Sequence, residues 1–397
     1  MDKNLKKKNL LCITHSYSFW LKDQVEIIAG YFNRVYVLVR YKPIAQVGSL
    51  FNSHIFKMHT KDVVFDLNNT PSNVTVIPIP LWYLPTNDGY LSLGDKHLKA
   101  VRRIIETKNI RFDIIHAHFV WSAGFVGTKL KKGYSVPLVI TAHAYGVNDL
   151  PFRSKKWETK IREVLSNADH VITVSQKNKD YIDKIKVNSQ VSVIPNGFRK
   201  ELFHPKDIYE SRIKLNLPVD KKIILTVGSL DEIKGHKYLI DSMKEIVNFR
   251  KDVICIIIGE GEIRRKLERR IRQNELNEHV ILMGLKPHEE IVDWINSCDI
   301  FVLPSLSEGN PTVMFETFAC GKPFVGTAVG GVPEYTTSDD YGILVEPKNS
   351  KSLAIEILRA IDKDWNSKLI IEHSKKYDWE ILCRGKVDIY SELLKGQ

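Results

Sequence analysis

Short apolar runs recur along the chain, and the stretches between them carry the three-to-four-residue spacing of amphipathic helices. In the first half these runs predict strands over 10–14, 35–40, 74–78, 113–118, 138–143, 170–175 and 191–195. In the second half they predict strands over 222–227, 253–259, 279–283, 300–304, 323–327 and 342–345. Most of the runs are continuously apolar rather than alternating, as parallel strands covered by helices on both faces should be. Strand–helix alternation of this kind is the doubly wound α/β pattern, and it occurs twice. The stretch from Asn196 to Pro205 bears Gly197 and a closing proline and reads as the linker between the copies. The expected domains are therefore 1–200 and 201–375, with an amphipathic helix in 376–397 able to pack back on the first domain. Two such domains facing each other across a cleft bind ligands at the carboxyl ends of their strands, so the loops there matter most.

Composition narrows the class without deciding it. A chain of 397 residues suits two domains. Its five cysteines are scattered without a close pair, which argues against a disulfide framework or zinc cluster and fits a reducing compartment. The basic start from Met1 to Lys8 precedes a short apolar run that leads into Phe19 and Trp20, unlike a signal peptide. No apolar stretch reaches the roughly 18–20 residues that span a bilayer. A cytoplasmic protein is expected, at most peripheral on the cytoplasmic membrane face. The net charge of +11 implies an anionic partner, with phosphorylated small molecules or an anionic lipid face ranked above nucleic acid. The basic segment 151–162 interleaves Phe152, Trp157 and Ile161, which fits either a helix docked on an anionic bilayer or a surface helix with an apolar underside.

The densest chemistry lies between Ser305 and Glu334. Pro311 suits the first turn of a helix running to about Ala319, and Gly321 stands just past its end. Gly309 permits close backbone approach, and the amides of Thr312 and Val313 at the helix tip suit a phosphate. Glu308 and Glu316 offer carboxylates able to take vicinal hydroxyls. Either glutamate alone is better read as a helix cap or a solvated face residue. The strand and Gly-Gly turn that follow, from Lys322 to Glu334, bring flexible backbone to the same edge and change that balance.

This stretch, with its two glutamates separated by seven residues, resembles the donor-site signature of glycosyltransferase family 4, retaining enzymes of the GT-B fold. The resemblance covers residues 110–390 well and the first hundred in outline. It implies that Glu308 contacts the transferred sugar and Glu316 the ribose hydroxyls, while Gly309, Asn310, Pro311, Thr312 and Val313 hold the diphosphate. It further implies that Lys234 grips the diphosphate beside Gly228. Ser229, at a position often occupied by arginine, leaves that lysine as the main charge on the leaving group. Gly259 belongs to a turn of the same family pattern, and the loop bearing Pro287 approaches the base. The arginines of 264–272 surround an apolar stripe and read as a solvated face. His143, at a strand end, is expected to face the transferred sugar. Ser16, His118 and Tyr145 are expected on the acceptor side; Ser175 and the pair Asn196-Gly197 fall where relatives line their cleft.

No metal is expected. The pair His116 and His118 has no evident third ligand, and Asp362 and Asp364 lie in a late helical region. The implied activity is transfer of a hexose-type sugar from a UDP- or GDP-sugar to a glycan or lipid-linked acceptor, in cell-surface polysaccharide or glycolipid biosynthesis. A sugar-nucleotide epimerase of the same fold and a non-catalytic nucleotide-sugar-binding subunit are the competing readings. A dehydrogenase is disfavoured because no Gly-x-Gly-x-x-Gly follows the first strand. No motif encodes the sugar, the base, the acceptor or the oligomeric state.

Overall fold

The run Val253–Ile258 is buried at all six positions, so both of its faces must be covered. A strand of that kind fits only the interior of a helix-flanked parallel sheet. The computed structural model describes residues 4–43, 65–83 and 86–395, and contains two such sheets. They belong to two compact units, Met1–Pro195 with Trp379–Gln397, and Asn196–Asp378.

In the first unit the strands are β1 (Asn9–Thr14), β2 (Arg34–Tyr41), β3 (Val74–Pro80), β4 (Ile114–His118), β5 (Leu138–Ala142), β6 (His170–Thr173) and β7 (Gln190–Val193). They are ordered β3-β2-β1-β4-β5-β6-β7. Every pairing is parallel. The order reverses beside β1, so the loops after β1 and β4 splay to opposite sides and open a crevice at the carboxyl edge. Register places Thr14 opposite Val39 and His118 opposite Thr141, which brings Arg40, His15 and His143 to that same edge. The helix Phe19–Ala29 covers one face together with the closing helix Trp379–Lys395. Cys383 donates to the Gln24 carbonyl, Lys386 to the Gln24 side chain, and Tyr390 Oη lies 2.6 Å from His116 Nδ1.

The second unit holds β8 (Lys222–Val227), β9 (Val253–Ile258), β10 (Val280–Gly284), β11 (Ile300–Leu303), β12 (Phe324–Thr327) and β13 (Gly342–Val345). Their order is β10-β9-β8-β11-β12-β13, all parallel, with the reversal beside β8. Helices built on apolar stripes cover both faces, as Leu239, Met243 and Ile246 of the helix His236–Phe249 illustrate.

Some boundaries differ from those the sequence suggests, for local reasons. Asp113 stands outside β4 because its carboxylate accepts from the Asn9 amide at 2.8 Å and from Lys8 at 3.1 Å. Pro311 is the cap before the helix Thr312–Ala319 rather than its first residue. The basic segment forms the helices Leu150–Arg153 and Lys155–Ser166, the second capped by Ser154. Trp157 and Ile161 lie in the core at 1% and 0% exposure, and of the three apolar side chains only Phe152 faces outward. The apolar underside of that helix is thus packing surface, which leaves Phe152 alone for a membrane contact.

Candidate active site

Backbone geometry at the carboxyl edge of the second sheet is fixed by glycines at the points of closest approach. Gly259 follows β9 with φ +149°, and a Cβ there would lie 1.9 Å from the Gly228 carbonyl oxygen. Gly235 adopts φ +67°, and a Cβ there would lie 1.9 Å from the Pro304 oxygen. These are contacts no other residue accommodates without moving the chain. The Leu306 amide donates to the Ile233 carbonyl at 2.7 Å, so the turn carrying Lys234 is fastened to the loop after β11. Gly330 of the Gly-Gly turn sits at φ +54°, where a Cβ would lie 1.7 Å from the Glu308 oxygen.

These contacts bring Lys234 and Glu308 together. Lys234 Nζ lies 2.8 Å from Glu308 Oε1, which also accepts from Ser305 Oγ at 2.6 Å. The Glu308 side chain is only 7% exposed and that of Lys234 26%. A buried pair of this kind adds little net stability, because desolvation offsets the attraction, but it sets both charges in fixed places. Asn310 steadies the rest of the loop: its Oδ1 accepts from the Asn196 amide at 2.7 Å and its carbonyl from Asn196 Nδ2 at 2.9 Å. Asn310 Nδ2 is buried with no partner. Beyond it begins the helix Thr312–Ala319, whose first amides, those of Thr312 and Val313, have no acceptor within the helix. They form the positive end of its dipole.

Glu316 lies on that helix with its side chain 5% exposed, and its Oε1 accepts from His288 Nε2 at 2.9 Å. His288 opens the helix after β10, Pro287 being its cap, and its ring lies 5.1 Å from that of Phe203. The sequence pointed to Pro287 in this loop; the side chain that reaches the glutamate is its neighbour. Ser229 offers its carbonyl to His236 Nε2 at 3.0 Å. The arginine-rich helix Arg264–Gln273 is ion-paired: Arg264 to Glu260 at 2.7 Å and Glu268 at 2.9 Å, Arg270 to Asp241. Asp362 pairs with Arg250 on the surface. Among the described residues no group of three or more His, Cys, Asp or Glu side chains is placed to hold a metal.

Around His143 the carboxyl edge of the first sheet is built from uncharged rings. His143 follows β5, with Trp20 edge-on at 4.9 Å, Phe119 at 4.6 Å and His118 at 6.0 Å. His15 stacks flat on Phe119 at 4.4 Å, and Phe119 holds φ +77° in the left-handed region. His15 Nε2, His118 Nδ1 and His143 Nε2 are buried without a hydrogen-bond partner. Burial, aided by the charge of Lys386, pushes His143 down to about 3. Burial holds His15 and His118 well below their ordinary value too. These imidazoles are therefore neutral at physiological pH and can donate or accept, but carry no charge. His116, by contrast, uses both nitrogens, on Thr141 Oγ1 at 2.7 Å and on Tyr390 at 2.6 Å, so the His-x-His pair is half structural.

Ser16 Oγ lies 2.8 Å from Ser18 Oγ in the loop after β1, and Tyr145 is 46% exposed after His143. Ser175 is fully buried and caps the helix Gln176–Lys184, accepting from the Asn178 amide at 3.2 Å. Trp20, Phe119 and His15 are neighbours of His143 that sequence reasoning did not assign. His15 and Trp20 lie in the ring-rich stretch after β1, and Phe119 directly follows β4.

Two doubly wound parallel sheets, the second with a lysine and two glutamates fixed at its carboxyl edge, define a GT-B protein. Residues 207–377 match the family described as Glycosyl transferases group 1, and residues 54–202 match Glycosyltransferase Family 4. A glycosyltransferase of Methanocaldococcus jannaschii is 32% identical over 300 residues, covering 74% of this chain and 79% of that protein. The chain belongs to the group 1 glycosyltransferases of family 4 and is a glycosyltransferase. In fold it is similar to a sucrose-phosphate synthase from Thermosynechococcus elongatus, with a TM-score of 0.79 at 22% identity over 98% of this chain and 100% of that one. It is likewise similar to Anabaena HepE in complex with UDP, with a TM-score of 0.75 at 21% identity over 97% of this chain and 100% of that one.

Proposed function

We propose that the chain moves a hexose-type sugar from a UDP- or GDP-sugar to a glycan or lipid-linked acceptor, with retention of configuration and without a metal. The observation that carries this reading is the Lys234–Glu308 pair, held at 2.8 Å beside a helix tip by turns that only glycine can form. Departure of a nucleoside diphosphate leaves negative charge on its oxygens, and fixed positive groups aimed at that charge lower the barrier most. Lys234 and the amides of Thr312 and Val313 supply such groups. On donor binding the diphosphate replaces Glu308 as partner of Lys234, and Glu308 turns to hydroxyls of the transferred sugar. Glu316, oriented by His288, takes the ribose hydroxyls. The backbone around Gly228, Ser229, Gly259, Gly309, Asn310 and Pro311 lies along the diphosphate, and Pro287 lies near the base.

His143 gives a neutral imidazole to a sugar hydroxyl, and Ser16, His118 and Tyr145 lie on the acceptor side. The acceptor hydroxyl attacks on the face the diphosphate leaves, and that diphosphate takes its proton. The domains of this reading are an acceptor-binding 1–200 and a donor-binding 201–375, with 376–397 as the closing helix. Cell-surface polysaccharide or glycolipid synthesis at the cytoplasmic membrane face is the setting that fits the net charge of +11. No helix among the described residues is long and apolar enough to cross a membrane. HepE is a family-fold protein whose structure holds UDP, which favours UDP-sugars as the first donors to try.

The test is a thermal-shift screen of UDP-, GDP- and ADP-sugars, followed by nucleoside diphosphate release with the best donor. A ligand bound only by the folded chain raises its midpoint. Release that accelerates when acceptors are added is expected. Epimerisation of the sugar nucleotide without release would sink the transferase reading of this site.

A further inference from the structure

Arg40, the penultimate residue of β2, is 9% exposed. Its Nη1 donates to Tyr83 Oη at 3.0 Å, while its Nε is buried with no partner. Among the described residues no carboxylate forms an ion pair with it. Two acids of the same unit are engaged elsewhere, Asp149 with Arg153 and Asp66 with Lys22. A guanidinium withdrawn from water without a counter-charge is strongly unfavourable, so such groups are normally paired. A second cation lies beside it: Lys42 Nζ stands 4.2 Å from the Tyr83 ring centroid, and Arg40 Cζ stands 5.5 Å from the same centroid. Burial alone would raise the Tyr83 phenol, yet the two cations draw it below its ordinary value.

Two neutral imidazoles lie within the field of Arg40, each able to donate or accept. His97 Nδ1 is bonded to Ser122 Oγ at 2.8 Å, and its Nε2 is buried with no partner. His15 Nε2 is in the same condition. The field of Arg40 reaches both rings, adding to the burial that keeps them neutral. A fixed guanidinium fork, an ammonium and a phenol hydroxyl converging at a strand end match the geometry of an oxyanion.

We propose that Arg40, Lys42 and Tyr83 form an oxyanion subsite that takes a phosphate ester or carboxylate carried by the acceptor. The assignment rests on the reading of the first unit as the acceptor half. The oxyanion supplies a counter-charge that no described residue gives Arg40, and it fixes the acceptor while its reacting hydroxyl is presented near His15 and His143. An acceptor without the anionic group binds more weakly through this unit.

The 397-residue chain is titrated with methyl phosphate and, separately, with glucuronate, each with and without saturating UDP. Wild type, Arg40→Gln and Lys42→Gln are compared by calorimetry. Saturable binding of at least one anion is expected, and the tighter of the two identifies the source. Arg40→Gln should weaken it by about tenfold or more, as loss of a charge-assisted bond does. Lys42→Gln should weaken it by roughly threefold, and UDP affinity should be the same in all three proteins. Absence of saturable binding by wild type, or equal anion affinity in the variants, overturns the proposal. If Arg40→Gln does not fold, Lys42→Gln and Tyr83→Phe decide, and unchanged affinity in both overturns it. If UDP itself does not bind, the nucleotide-sugar reading of the second unit fails while the anion titrations still decide this one.

Discussion

At the carboxyl edge of the second sheet a lysine and a glutamate meet at 2.8 Å, whereas at that of the first His143 ends in a buried nitrogen with no partner. Both edges arise from the same doubly wound pattern and the same reversal of strand order. In the second unit the charged groups have partners, Lys234 with Glu308, Ser305 with Glu308 and His288 with Glu316, while Asn310 Nδ2 and His236 Nδ1 are left buried without one. In the first unit Arg40 and the rings of His15, His97, His118 and His143 each retain an unsatisfied nitrogen. A site that binds a constant ligand can be assembled in advance, with internal partners that the ligand displaces. A site that selects a particular ligand leaves its polar groups to be completed by that ligand, which makes rejection of wrong partners costly to evade.

The sharpest way to break this contrast is at the backbone of the second unit. Gly330→Ala puts a methyl group where the Glu308 oxygen stands, so the loop must shift. Loss of about 2–4 kcal/mol in stability and of diphosphate release by roughly a thousandfold is expected, read by thermal unfolding and turnover. Near-wild-type behaviour would mean the loop is not held as described. Lys234→Met leaves the backbone alone and removes the ammonium with its bond to Glu308. It should lower kcat by about 10²–10³, and the unfolding midpoint should fall as well because Glu308 is left buried without its counter-charge.

Acid tests the first unit. Burial lowers His97 and His143 to about 3, from an ordinary value of 6.5. Between these values the unfolded chain binds protons that the folded chain refuses. Stability is therefore complete above pH 6.5 and falls as the pH drops toward 3, by up to about 1.4 kcal/mol per pH unit for each ring. Urea midpoints measured from pH 7.5 to 5 should decline, and His97→Asn should flatten the decline. A pH-independent midpoint in that range contradicts the account of neutral buried rings. The smallest effect is expected from His288→Gln, which loosens Glu316 without removing it and should weaken nucleotide affinity about threefold to tenfold, measured by calorimetry.

The two units also differ in how much of them the sequence discloses. The strands are legible in both, because a run such as Val253–Ile258 has no other use than a buried parallel strand. The spacing of Glu308 and Glu316, the glycines and Lys234 lie within short stretches whose local geometry follows from residue type. The first-unit site does not, because its members come from elements far apart in sequence: Arg40 of β2 with Tyr83 beyond β3, Trp20 of the helix Phe19–Ala29 with His143 after β5, His116 of β4 with Tyr390 of the closing helix. None of those pairs has a spacing that marks it in advance. His288 was hidden for a related reason, since nothing in its loop announces a helix on which Glu316 waits.

The most direct test of the central claim is calorimetric titration of UDP and GDP into the wild-type chain, Lys234→Met and Glu316→Gln. The account predicts saturable binding of one nucleotide by wild type, weakened about tenfold or more in each variant, since each loses a bond to a charged partner. Equal affinity in all three proteins, or no binding of either nucleotide by wild type, would contradict the placement of the donor at the carboxyl edge of the second sheet.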